Sequence, residues 1–266
     1  MEVLLRSLLK RGAQRFIVGI GGSATNDGGI GMLSALGYRF LDKDGNLLVC
    51  GAEALSKLEK IEISSRHKAL SECDFLVACD VKNPLTGVLG CSRVFAPQKG
   101  ATESDIEKMD SWLDKYADIT ASINPLADKN YPGVGAAGGL GFAFSSYLGA
   151  KLKPGIELVI EETGLEESVK DSDIIITGEG RLDGQSCMGK TPVGVARVAK
   201  KYGKPVIAFA GAVTPDAREC NLHGIDAYFP ITRGPISLSE AMDSECAKAN
   251  LSATAEQAIR LACAVK

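Results

Sequence analysis

Basic charge is not in excess in this 266-residue sequence: 30 Lys and Arg against 33 Asp and Glu leave a formal net charge of -3. No basic field is present to invite the phosphate backbone of a nucleic acid. Histidine is nearly absent, at positions 67 and 223 only, and the eight cysteines (50, 73, 79, 91, 187, 220, 246, 263) include no C-x-x-C pair. Nothing in their spacing suggests zinc, so the thiols are read as free, mostly buried small hydrophobes in a reducing cytoplasm. No apolar run approaches the roughly 20 residues of a membrane span. The opening MEVLLRSLLKRG lacks the cleavage region of a signal peptide. What is present is globular composition, 45% hydrophobic and 24% charged, at a length that suits one large or two smaller domains.

Strand and helix signals alternate along the chain. A helix over Met1–Lys10 leads into the β-rich run RFIVGI (15–20), and YRFLDKDGNLLV (38–49) reads as a hairpin with Asp44 and Gly45 at its turn. DFLVACD (74–80) is an apolar run ending in a carboxylate, and TESDIEKMDSWLDKYADI (102–119) is an amphipathic helix with Thr102 as N-cap. The last third beats regularly. Strands are expected at 171–178, 205–211 and 226–231, helices at 192–203 and 214–224, and a closing helical region at 237–266. Continuous apolar strands of this kind suit a sheet covered by helices on both faces, which makes the expected class α/β.

Three glycine-rich stretches compete for function. GQSCMGKT (184–191) matches the phosphate-loop pattern G-x-x-x-x-G-K-[ST] letter for letter. A true phosphate loop starts directly at a strand's end, and here the six residues GEGRLD are read as a polar loop intervening between strand and Gly184. A P-loop nucleotidase is therefore the weaker reading, although anion binding at the helix start by Lys190 stays physically sensible. GVGAAGGLG (133–141) contains G-x-G-x-x-G, but ADKNYP before it is no strand, so close packing through small residues competes with any dinucleotide reading. GIGGSATNDGGIG (19–31) follows a strand and sets Ser23, Thr25, Asn26 and Asp27 between glycine pairs. Odd backbone angles explain the glycines but not that density of hydrogen-bonding side chains, so a ligand loop is expected.

Four segments together carry a resemblance: IVGIGGSATNDGGIGMLSALG (17–37), ACDVKNPLTGVLGCSRVFAPQKGAT (78–102), PGVGAAGGLGFAF (132–144) and DIIITGEGRLDGQSCMGKTPVGVAR (173–197). In this order they resemble the bacterial glycerate kinase family, of the type whose product is usually 2-phosphoglycerate. The resemblance absorbs the phosphate-loop pattern into the family's GEGRLDGQS block. It implies two α/β domains, a flavodoxin-like parallel-sheet domain and one inserted into it. Residues 1–165 are then expected to be the inserted domain, and 166–266 the C-terminal half of the flavodoxin-like domain, lacking its first strands. The family's opening PDSFKGS-like segment and its later DGGEG-like stretch do not occur here. The expectation is an N-terminally shortened chain that is a poor kinase by itself; the rival is a non-catalytic remnant, or a subunit needing a separately encoded segment.

The resemblance also implies ATP, Mg2+ and glycerate as ligands; a cytoplasmic location, a homodimer and no nucleic acid or membrane partner are the further expectations. Phosphoryl transfer to a hydroxyl needs cations on the phosphates and a carboxylate at the acceptor. Asp183 is the candidate base, with Asp80 as second catalytic candidate, and Glu179 with Asp183 the candidate magnesium ligands. Arg181 is the candidate clamp for a carboxylate or phosphate. Gly21, Gly22, Ser23, Thr25, Asn26, Asp27, Lys99, Gly178, Gly180, Gln185 and Lys190 complete the expected binding residues. Five of them have a bland alternative: Glu179 and Arg181 paired on a surface turn, Lys190 and Lys99 as solvated lysines, Asp80 as a turn cap before Pro84.

Overall fold

The computed structural model describes residues 2–265, so Met1 and Lys266, the outer ends of the expected first and last helices, lie outside the described residues. The chain is α/β and divides into two compact units, Met1–Gly155 and Ile156–Lys266. In the first unit the strands are β1 (Arg15–Gly19), β2 (Arg39–Leu41), β3 (Lys60–Glu62), β4 (Asp74–Ala78) and β5 (Lys151–Lys153). Its helices are α1 (Glu2–Lys10), α2 (Ile30–Ala35), α3 (Cys91–Phe95), α4 (Glu103–Ile123) and α5 (Ala136–Leu148). From the break onward come α6 (Gly155–Thr163), α7 (Leu165–Lys170), β6 (Ile175–Leu182), α8 (Thr191–Lys201), β7 (Val206–Val213), β8 (Ala227–Pro230), α9 (Leu238–Ala241) and α10 (Ser244–Ala264).

In the first unit β4 is the central strand of a parallel sheet ordered β1-β4-β5. Its consecutive residues Phe75, Leu76 and Val77 are all buried, as an interior parallel strand with both faces covered requires. Phe75 stacks on Phe16 of β1 with ring centroids 4.8 Å apart. Helix α4 begins where its residues dictate. Thr102 accepts from the Asp105 N–H, and the Asp105 side chain accepts from the Thr102 N–H, so two otherwise orphaned amides are satisfied together. Its inward stripe Ile106, Met109, Leu113, Tyr116, Ala117 and Thr120 then keeps the helical spacing.

The 38–49 hairpin forms only as a stub. The Asp42 carboxylate accepts from the N–H groups of Asp44 and Asn46, closing the turn, and a single bridge joins Leu41 to Leu47. On the return limb Leu48 packs against the core and donates its N–H to Phe40 O at 2.9 Å, while Leu47 and Val49 remain exposed; the strand that pairs with β2 is β3, antiparallel. Within 133–141 the glycines do pack closely. Ala137, Gly138 and Gly139 take left-handed φ of 55°, 68° and 90°, kinking the start of α5, and a Cβ at Gly138 would meet Thr25 O at 2.1 Å.

The second unit carries a parallel sheet ordered β6-β7-β8, with β7 central and its Val206, Ala208, Phe209 and Ala210 buried. Helix α8 supplies a buried face of Val193, Ala196, Val198 and Ala199; burying a valine contributes roughly 1.5–3 kcal/mol. Two expectations change here. The strand expected at 171–178 forms at 175–182, running through Gly178, Glu179, Gly180 and Arg181 to the fully buried Leu182. Pairing with β7 continues through Glu179↔Ala210, Arg181↔Ala212 and Leu182↔Val213, because ladder hydrogen bonds need only backbone. The helix expected at 214–224 is a 3-10 segment, Pro215–His223, whose buried Ala217 and Cys220 keep its three-residue period. Four cysteines, 79, 91, 187 and 220, are buried, while 50 and 263 are exposed.

Candidate functional site

Two polar clusters form, one within each unit. In the first, the loop after β1 folds around Lys99, whose Nζ donates to Ser23 Oγ at 2.9 Å and to Thr25 O at 2.6 Å. Burial lowers the Lys99 pKa, partly offset by Cys91 and Asp27. Asn26 is buried and donates from Nδ2 to Ser92 Oγ at 2.9 Å, while its Oδ1 has no partner among the described residues. Asp27 is also buried and accepts from the Gly29 N–H at 3.0 Å, and Gly28 N–H donates to Gly138 O at 2.9 Å. The loop is thus held by the kink of α5. A recess of about 420 Å³ opens beside it, lined among others by Thr25, Asn26, Asp27, Lys99, Asp105 and Met109. Gly21 and Gly22 lead into this loop on its exposed side. Asp80 stands apart from the cluster: its Oδ1 accepts from the Gly155 N–H at 2.8 Å, at the first residue of α6 rather than at a turn before Pro84.

In the second unit the register Leu182↔Val213 sets the ends of β6 and β7 side by side. The crevice beyond the carboxyl ends of parallel strands is where α/β sheets bind ligands. Glu179 and Asp183 converge there on one hydroxyl, that of the fully buried Ser186. Ser186 Oγ accepts from the Asp183 N–H at 3.2 Å, gives its proton to Glu179 Oε1 and lies 3.3 Å from Asp183 Oδ1. Two cations face the same aspartate, with Arg181 Nε 3.7 Å from Oδ2 and Lys190 Nζ 3.9 Å from Oδ1. Both are substantially exposed, so these pairs contribute at most about 1 kcal/mol and leave the cations free to turn toward a ligand. Gln185 contributes its backbone N–H, donated to Asp183 Oδ1 at 3.0 Å.

Asp216 was not among the sequence candidates, nor was Ser186. Asp216 Oδ2 accepts from the Gly184 N–H at 3.0 Å and its Oδ1 from the Thr214 hydroxyl. The Thr214 hydroxyl first, then the Gly184 amide, holds the Asp216 carboxyl below its usual range. The available signal was positional: T-P-D lies just beyond the strand expected at 205–211 and directly follows β7, at the sheet end where Asp183 follows its own strand. Gly180, expected in a loop, is a strand residue of β6, as is Gly178.

The longer β6 also removes the reason for setting the phosphate loop aside. The strand ends at Leu182, so Gly184 lies almost directly at its end and α8 begins at Thr191. A different fact now separates this loop from a phosphate cradle. Its amides point inward to carboxylates: Gly184 to Asp216, and Gln185 and Ser186 to Asp183 Oδ1. A phosphate loop presents those N–H groups to the nucleotide.

Glu179, Asp183 and the Ser186 hydroxyl form an all-oxygen donor set, the kind magnesium takes. Among the described residues no group of three or more His, Cys, Asp or Glu is arranged to hold a metal. Magnesium needs no such cage, since it binds through one or two carboxylates with substrate phosphates and water. No helix of the described residues is long and apolar enough to cross a membrane.

Comparison with known proteins joins these observations. The model of the glycerate kinase family matches residues 2–263. The chain is 48% identical over 258 residues to the glycerate 2-kinase of Escherichia coli (strain K12), covering 95% of this chain and 68% of that protein. It is 46% identical over 240 residues to a glycerate kinase of Bacillus subtilis (strain 168), covering 90% of this chain and 63% of the relative. The chain thus spans about two thirds of the length of these relatives. A crystal structure of a Salmonella typhimurium LT2 protein assigned as glycerate kinase 2 superposes with a TM-score of 0.81 at 43% identity, covering 96% of this chain and 68% of that one. The chain belongs to the glycerate kinase family.

Proposed function

We propose that this chain carries the machinery for phosphoryl transfer from ATP to a hydroxyl of glycerate, with 2-phosphoglycerate the favoured product. The observation that carries the reading is the cluster at the end of β6, where two carboxylates share the Ser186 hydroxyl and two exposed cations flank Asp183. Transfer of a phosphoryl group is mostly positioning and charge neutralisation, which calls for cations beside a carboxylate in one place. In this reading Asp183 orients and deprotonates the acceptor hydroxyl, and its lone pairs are already directed by the N–H groups of Gln185 and Ser186. Arg181 pairs with the glycerate carboxylate in a planar fork, and Lys190 meets a phosphate oxygen. Glu179 and Asp183 would hold magnesium, which when bound neutralises the phosphates.

The loop at 19–31 with Lys99 is the second anion-binding candidate, through Ser23, Thr25 and the Lys99 ammonium. Asp80 is retained as a second carboxylate candidate, with its capping bond as the competing role. We further infer that the first unit corresponds to the inserted domain and the second to the later half of the flavodoxin-like domain.

The test is product formation from glycerate, ATP and magnesium. The chain is assayed alone and coexpressed with the part of the Escherichia coli relative that it does not match. Phosphoglycerate is expected in at least one arrangement, and Asp183→Asn is expected to lower its rate by ~10²-fold or more. Absence of product in both would overturn the assignment, and near-normal turnover by the variant would remove Asp183 from the role of base.

A further inference from the structure

Two buried sulfurs meet beneath the second cluster. Cys187 Sγ lies 3.0 Å from Cys220 Sγ, across 33 residues of sequence. Cys187 sits in the turn Ser186–Met188 after β6, and Cys220 in the segment Pro215–His223 after β7. The first neighbours Ser186, whose hydroxyl joins Glu179 to Asp183; the second shares its segment with Asp216, which holds the Gly184 amide. Both sulfurs also lie 3.9 Å from the carbonyl oxygen of Asp183. A disulfide has its sulfurs about 2.05 Å apart, so closing the bond needs a movement of only about 1 Å.

We propose that Cys187 and Cys220 are a covalent modification site, a dithiol that a peroxide converts to an intrachain disulfide clamping the Asp183–Lys190 loop to the Pro215–His223 segment. Cys187, which keeps slight exposure where Cys220 has none, attacks first. Its thiolate attacks one peroxide oxygen, the O–O bond breaks, and the sulfur becomes a sulfenic acid while the other oxygen leaves as water. Cys220 sulfur then displaces the sulfenic oxygen as a second water. The two sulfurs lose two electrons, hydrogen peroxide gains them, and two thiols with one peroxide yield one disulfide and two waters. The adjacent Cys220 intercepts the sulfenic acid before it oxidises further. The site stands independently of the phosphoryl-transfer reading, because bond formation and clamping need no turnover.

The experiment treats the full chain with hydrogen peroxide at low protein concentration, alkylates remaining thiols after unfolding, and maps peptides by mass spectrometry. The expected result is a peptide pair joined through Cys187 and Cys220, lighter by two hydrogens and released by dithiothreitol. Deuterium uptake over residues 183–190 is expected to fall on oxidation and recover on reduction, and Cys220→Ser is expected to abolish both effects. Alkylated Cys187 and Cys220 in a chain whose exposed Cys50 and Cys263 have oxidised would overturn the proposal. So would a mapped bond that leaves deuterium uptake in the loop unchanged. Because the mapping is done on the unsubstituted chain, its outcome does not depend on whether the variant folds.

Discussion

The kink in α5 offers a sharp test of how the glycine loop is held. Gly138 has a φ of +68°, and a Cβ there would sit 2.1 Å from Thr25 O and 2.7 Å from Asn26 Cα, both backbone atoms that cannot swing aside. Gly138→Ala therefore faces two penalties. The left-handed backbone costs an L-residue roughly 1–2 kcal/mol, and forcing an added methyl into a filled space costs typically about 1–3 kcal/mol more. Gly149 separates them: its φ is +62°, yet nothing lies within 4 Å of the Cβ position. Gly149→Ala should bear the backbone penalty alone. The unfolded-state gain from replacing glycine is common to both and cancels. The difference between the variants is thus expected at about 1–3 kcal/mol, with Gly138→Ala the less stable. Urea unfolding followed by tryptophan fluorescence reads it cleanly, since the single tryptophan, Trp112, lies in α4 and reports on the first unit. If the two variants unfold within about 0.5 kcal/mol of each other, Gly138 does not hold the Thr25–Asn26 backbone by contact and the reasoning fails.

Lys190→Ala is expected to weaken nucleotide binding in part, since Lys190 is one of several cationic and N–H contacts; complete loss in isothermal titration, with circular dichroism unchanged, would restore a phosphate-loop reading. Asp216→Asn removes a carboxylate whose folded pKa is depressed, so its stabilisation is present above the unfolded value near 3.9 and is lost as pH falls through the lower folded value. The stability gap between the unsubstituted chain and this variant should accordingly be full at neutral pH and vanish toward pH ~2, as followed by chemical unfolding across that range; a gap independent of pH would contradict the assignment of its bonds to the ionised form.

Local chemistry in the sequence was enough to determine some elements of this protein. Thr102 and Asp105 start α4 because their side chains answer the amides that any helix leaves open, and that exchange is complete within four residues. Phe75, Leu76 and Val77 announce an interior parallel strand because a run without polar residues suits only a position covered on both faces. The α/β class and the family resemblance follow from runs and motifs of this kind. The site was legible only in part: Glu179, Arg181, Asp183 and Lys190 stand in one motif and do converge, whereas Asp216 and Cys220 lie some thirty residues on and reach it only through the parallel register of β6 and β7. That same pairing made strand of Gly178–Leu182, because a neighbouring backbone supplies hydrogen bonds whatever the side chains are. The 38–49 hairpin kept only a short return limb for a related reason: Leu48 reaches the core while Leu47 and Val49 stay exposed, and the regular antiparallel partner of β2 is the distant β3. Where a segment's hydrogen bonds and buried area come from a distant partner, no local pattern encodes the outcome, and only the folded chain decides it.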